Sequence, residues 1–336
     1  MLTLGELIVK RREEPSISWV WKAKRGFFAP KVGIMRKFVF LVVVLITYNL
    51  GAQMSILPQK ISQKEIFPMR SIAQSYDFGF QLHRGLILIP GKIDQQSGFW
   101  VLDTGAPSLI VNQKLSEASE DLQGLGLGGT MEVMPQVWSA LQVGSWELPV
   151  TEGYSMDLES LENALDLPLL GLVGHALFSD KRLIIDYREE QIIVQEYTEF
   201  WRSIPNEPAK GAAFDLVDHL PILEIHQGDE IWRLVVDTGS GSNILVSETP
   251  LAEIGSFPQV GDAIHGVDQK VIPRLPQRNC ALSLAGQALP CTVFSMIELP
   301  EHSILAEYQL DGVVGFPLLG YFRVTIDYPK QEIHLD

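Results

Sequence analysis

The stretch "FWVLDTGAPSLIV", residues 99–111, runs apolar into an acid, Asp103, turns through Thr104 and Gly105, and resumes apolar. A carboxylate among such residues is costly unless something nearby satisfies it. One such acid decides little, because Asp-Thr-Gly also makes an ordinary turn. The pattern returns as "WRLVVDTGSGSNILV", residues 232–246, with a second acid at Asp237. Further landmarks follow each copy in the same order. "LQVGSWELP" (141–149) is answered by "LSLAGQALP" (282–290), and "GLVGHALFSDKRLIIDY" (171–187) by "GVVGFPLLGYFRVTIDY" (312–328). The step from Gly171 to Asp186 equals the step from Gly312 to Asp327. Matched landmarks over two halves mark an internal duplication.

Each copy reads as strand. Short β-branched runs such as "LILIPGKI" and "FRVTIDYPKQEIHL" are broken by Gly, Pro, Asp or Asn turns, at a spacing that suits small barrels. The expected fold is all-β, two homologous barrel lobes related by a pseudo-two-fold. Lobes over 77–198 and 212–336 follow, with the polar, proline-bearing segment 199–211 as linker. Helix is sparse; residues 155–167 carry apolar residues at helical spacing.

The chain has 336 residues and a net charge of −15. Nine of its basic and three of its acidic residues precede Gln53, which leaves 17 basic and 38 acidic side chains beyond, a net of −21. Such a surface repels nucleic acid and anionic lipid, so neither is an expected partner. The N-terminus reads as a segment outside the fold, residues 1–52. Met35-Arg36-Lys37, the apolar run to Tyr48 and the small pair Gly51-Ala52 match the regions of a secretory signal peptide, with Met35 as a second possible start. The expectation is export, periplasmic or extracellular; the alternative is a single-pass N-terminal membrane anchor.

Cys280 and Cys291 flank Gly286 as in a hairpin that would set the sulfurs opposite each other, and two independent small core residues are the other reading. Two cysteines without histidine spacing make no zinc site, and neither a metal nor a cofactor is expected. "GLGLGG" (124–129) matches G-x-G-x-x-G in form, yet no helix follows it.

If a two-fold pairing of lobes brings Asp103 and Asp237 together, the two carboxylates cannot both ionise cheaply and hold one proton between them. The ionised member could take a proton from water while the protonated member polarises a carbonyl. Gly105 and Gly239 would allow the sharp turn and offer N–H groups to the acids. Thr104 and Thr238 would tie the loops across the axis. Ser240, where the first copy has Ala106, could donate to Asp237, which makes Asp103 the acid expected to protonate more easily. Asp186 and Asp327 read as caps of strand-end turns, and His265 as a surface residue.

With both D-T-G motifs and the later Leu172-Val173-Gly174 and Val313-Val314-Gly315 elements, the chain resembles the retropepsin-like and pepsin-like aspartic peptidases over most of residues 80–336. The resemblance implies an aspartic endopeptidase acting on peptide or unfolded protein through Asp103 and Asp237, complete in one monomer. It implies that Gly174 and Gly315 pack under the catalytic loops. It also implies a glycine-bearing flap, by position 124–133 with Gly128 and Gly129 in lobe one, and 263–271 with Gly266 in lobe two. Neither segment has the flap tyrosine of pepsin-like enzymes, and Trp138 is the nearby aromatic residue. The alternative is a catalytically silent peptide-binding module on the same fold.

Overall fold

The computed structural model describes residues 38–39, 75–116, 122–127, 130–196, 211–247, 251, 263–265, 271–299 and 303–336. Of the segment read as signal peptide it describes only Phe38–Val39, which pair in parallel with Gly124 and Leu125. The linker residues 199–210 and the flap candidates Gly128, Gly129 and Gly266 lie outside the described residues.

Strand Gln96–Leu102 leads into the first acid and Glu230–Val236 into the second. Each pairs antiparallel with the strand before it, Leu86–Ile93 or Leu220–Gln227. A later strand, Leu169–Val173 or Gly312–Val314, then lies parallel to the acid-bearing strand. Its other edge meets the strand that follows the turn, Leu109–Asn112 or Asn243–Val246, in antiparallel register. Thr151–Met156 and Thr292–Ile297 run parallel to those last strands. The molecule is all-β, with one strand order built twice.

A six-stranded sheet joins the halves. At its centre Lys181–Asp186 pairs antiparallel with its own repeat, Arg323–Asp327, so Arg182 faces Asp327 and Asp186 faces Arg323. A strand that pairs with its own copy places a two-fold axis between the two. Burial would make the Asp327 carboxylate costly without a partner. Arg182 Nη2 stands 2.7 Å from its Oδ2. Both repeated acids also cap turns as expected: Asp186 Oδ1 accepts from the N–H groups of Arg188 and Glu189, and Asp327 Oδ1 from that of Lys330.

Strand alternation sorts the core into layers. Trp100 and Leu102, with Val236, Val173 and Val314, face a large apolar cluster that also takes Leu183, Ile185, Val324 and Ile326 from the joining sheet. The intervening residues point the other way, to the face that carries the acids. There Val101, Ile110 and Leu172 form a lobe-one cluster, and Val235, Ile244 and Val313 a lobe-two cluster. Each buried aliphatic side chain contributes about 1.5–3 kcal/mol relative to an exposed one. The acids thus stand on a rigid double-layered floor.

The helix expected over 155–167 is shorter than its apolar spacing suggested. Ser155 still pairs with Met134 in the sheet, and the helix spans Glu159–Leu165. Asp157 Oδ1 accepts from the Glu159 N–H at its start, and Asp166 ends it in the left-handed conformation, φ 54°. Leu161 and Leu165 then cover the lobe-one cluster. Cys280 and Cys291 are joined in a disulfide across the hairpin Leu282–Leu284/Gln287–Ala288, where Gly286 takes the turn at φ +81°.

Candidate active site

Asp103 and Asp237 meet at the pseudo-two-fold axis, both wholly buried and within hydrogen-bonding reach of each other. Four hydrogen bonds hold their loops in reciprocal fashion. Thr104 Oγ1 donates to Val236 O at 2.8 Å and accepts from the Thr238 N–H at 3.0 Å. Thr238 Oγ1 donates to Leu102 O at 2.9 Å and accepts from the Thr104 N–H at 3.1 Å. Each buried hydroxyl donates once and accepts once across the axis, so the lobes cannot slide without breaking paired bonds. The threonines therefore sit where their residue type suggested.

The glycines sit against the acids and loops because nothing larger fits. A Cβ at Gly239 would lie 2.5 Å from the Asp103 carboxyl carbon, a distance real Cβ atoms do not adopt. At Gly174 it would lie 2.4 Å from Ala106 O, and at Gly315 2.3 Å from Ser240 O. Those two glycines pack directly on the loops that follow the D-T-G turns. The His175 N–H donates to Ala106 O and the Phe316 N–H to Ser240 O, fixing the same contacts on both sides.

The two carboxyl groups are not wired alike. Asp103 Oδ1 accepts from the N–H groups of Gly105 at 2.9 Å and Ala106 at 3.0 Å. Asp237 Oδ1 accepts from the N–H of Gly239 at 2.8 Å. The Ser240 hydroxyl does not reach Asp237; it donates to Ser242 O at 2.6 Å, and the Ser240 N–H turns to Asp237 O. The donation to Asp237 expected of the Ser240 hydroxyl is therefore not made. Burial raises Asp103 to about 7, held from going higher by the hydrogen bond from Asp237 and the two N–H donors. Burial lifts Asp237 well above the ordinary carboxylate value, and the neighbouring Asp103 adds to the rise. Both acids thus hold protons above the ordinary carboxylate range, and two carboxyl groups so close cannot both ionise cheaply.

Residues that sequence reasoning missed surround this pair. Tyr187 and Tyr328 end the repeated "IDY" segments; their hydroxyls are held neutral by burial and then by the charge of the acids. Their equal offset from Gly174 and Gly315 was the available signal. His219 is buried and its Nε2 lies 2.9 Å from Gly105 O.

The hairpin Leu122–Leu125/Thr130–Trp138 falls in the lobe-one segment read as a flap candidate. Leu127, beside its tip, is buried in the lobe-two cluster with Val235 and Val313, and Gly126 O accepts from the Ile304 N–H. Val235 lies two residues before Asp237 on the same strand face, so the hairpin crosses from one lobe to the acid-bearing face of the other. Trp138 ends the hairpin's second strand in the large core cluster, away from the tip. Among the described residues no group of three or more His, Cys, Asp or Glu could hold a metal ion.

No family model matches the chain, and no curated protein matches it. Among the solved structures it resembles is an aspartic proteinase from Irpex lacteus, with 12% identity and a TM-score of 0.47. That match covers 77% of this chain and 96% of the other. A likeness this distant says nothing about shared chemistry.

Proposed function

We propose that the protein is an aspartic endopeptidase that hydrolyses peptide bonds with Asp103 as general base and Asp237 as general acid. The observation that carries this reading is the reciprocal threonine lock, which holds two buried acids side by side. Ionised Asp103 takes a proton from a water molecule, whose oxygen attacks the peptide carbonyl carbon. Asp237 gives its proton to the carbonyl oxygen, forming a neutral gem-diol. Asp103 then passes its new proton to the amide nitrogen while Asp237 recovers one from the diol, and the C–N bond breaks. No covalent enzyme intermediate and no cofactor enters. Both acids stand in one chain, so a monomer suffices.

Both acids are wholly buried in the arrangement described, so substrate entry requires a covering segment to move, and the lobe-one hairpin docked on lobe two through Leu127 is the candidate. Export suits the Cys280–Cys291 disulfide, which needs an oxidising compartment. The test is cleavage of an unfolded protein from pH 3 to 9, a range that spans the value of about 7 at which Asp103 loses its proton. The wild type cuts, and Asp103→Asn and Asp237→Asn do not. A folded wild-type chain that cuts nothing across that range overturns the proposal.

A further inference from the structure

The duplication sets His219 beside a position that needs no side chain. Strand pairing aligns the turn His83-Arg84-Gly85 of lobe one with Val217-Asp218-His219 of lobe two, since His83 pairs with Leu86 and Val217 with Leu220. Gly85, at φ +82°, packs straight onto the other lobe, where a Cβ would stand 3.1 Å from Gly241 Cα. At the matching position lobe two carries an imidazole that reaches the opposite D-T-G loop.

Its Nε2 lies 2.9 Å from Gly105 O, and a carbonyl oxygen only accepts, so Nε2 carries the hydrogen. The Gly105 carbonyl and the Ala106 N–H belong to one peptide group. That N–H points at Asp103 Oδ1 at 3.0 Å. Imidazole, peptide and carboxylate therefore form one chain of hydrogen bonds, and each bond in such a chain polarises the next. The Ala106 and Ser240 N–H groups both also bond the main-chain oxygen of their own aspartate at 3.2 Å, but only that of Ala106 reaches the carboxylate as well, and Gly85, at the place matching His219, has no side chain to touch the lobe-two loop.

We infer that His219 is a positioning residue which, acting through the Gly105–Ala106 peptide, makes Asp103 rather than Asp237 the ionised member of the pair. The inference rests on the peptidase reading only for its consequence in catalysis; the hydrogen-bond chain stands without it. His219 is faced by His175 from the turn His175–Leu177 and by Asp218 from its own turn, with Tyr328 edge-on to His175. Burial first, and His175 next among the lowering influences, keep His219 neutral down to about pH 4, so the donor is uncharged wherever the pair titrates. The low value also means that the residue adds direction to the loop and no charge to the site.

The experiment follows the carboxyl carbons of 13C-aspartate-labelled protein by NMR against pH, in wild type, His219→Ala and His219→Gln. In the Ala variant the lower of the pair's two apparent pKa values rises by about half a unit. Glutamine, whose Nε2 reaches the same carbonyl, returns it to the wild-type position. An unchanged titration in a folded Ala variant, or a shift that Gln does not reverse, overturns the inference. Should the Ala variant not fold, His219→Asn, whose amide stops short of Gly105 O, takes its place under the same criteria. Cleavage assays on the same proteins separate the two claims. If no substrate is cut by any of them, the peptidase reading fails while the titration still judges His219. If wild type cuts, the acid limb of its kcat profile moves with the NMR value.

Discussion

The D-T-G loop of lobe one and that of lobe two share a backbone and differ in what aims at them. Asp103 Oδ1 accepts from the Gly105 and Ala106 N–H groups and Asp237 Oδ1 from that of Gly239, with the Gly105 N–H also lowering Asp237, and among the described residues only the lobe-one loop is touched by an imidazole from across the axis. The threonines, by contrast, are bonded in the same way on both sides. Symmetric bonds assemble the site, and asymmetric ones assign its proton. A pair of carboxylates built with full symmetry would leave either acid equally ready to act as base.

The sharpest way to break this comparison is to remove one acid at a time. Asp103→Asn and Asp237→Asn should each lower kcat on an unfolded protein by about 10³-fold or more. The double variant should be no worse than either single one, because the pair acts as a unit. Additive losses would mean independent roles.

Symmetry itself is tested at the threonines. Thr104→Val and Thr238→Val each delete two cross-lobe hydrogen bonds and strand a buried backbone N–H. Each should cost about 2–4 kcal/mol in urea unfolding, with the two values alike. Clearly unequal costs would show that the lock is not reciprocal in solution.

Another asymmetry lies in the hairpins. Ile272 packs in the cluster of its own lobe, whereas Leu127 leaves its lobe for the other. Leu127→Ala should weaken that docking by about 2 kcal/mol. Amide exchange should speed up in Leu122–Leu125 and Thr130–Trp138 and stay unchanged in the joining sheet. Faster exchange throughout the chain would make Leu127 a core residue rather than a latch.

The smallest effect concerns stability against pH. Asp103 binds its proton more tightly folded than unfolded, so its contribution is complete below the ordinary carboxylate value of 3.8 and is lost as pH rises through about 7. His219 has the opposite sign: its folded value is depressed to about 4, and its contribution is present above 6.5 and lost as pH falls toward 4. The two slopes oppose each other between pH 4 and 7. Asp237, also raised, adds a falling slope of the same sign as Asp103, so Asp103→Asn should leave a shallower fall of stability with pH across that window in chemical unfolding. A curve identical to the wild type contradicts the shifted carboxyl.

Much of the fold was legible because duplication writes it twice. The paired "DTG" and "IDY" landmarks gave the duplication, the acids, the threonines, and Gly174 and Gly315, since each depends on local pattern repeated at fixed spacing. What the sequence hid depends on distant placement. Ser240 was read as a donor to Asp237, but its hydroxyl had a nearer acceptor in Ser242 O, a contact set by the local turn. His219 and Leu127 act on the opposite lobe, and no spacing along the chain reports which lobe a side chain enters. The shortened helix shows the same limit: apolar spacing from 155 fits helix, yet sheet pairing at Ser155 claims the backbone first.

The central claim is that Asp103 and Asp237 make one site around one proton. Its most direct measurement is a crystal structure of the protein with a statine-type transition-state mimic. The account predicts the mimic's hydroxyl between the two acids, within hydrogen-bonding distance of both, with Leu127 lifted from the lobe-two cluster. A mimic that binds elsewhere, or that touches only one of the two carboxyl groups, contradicts it.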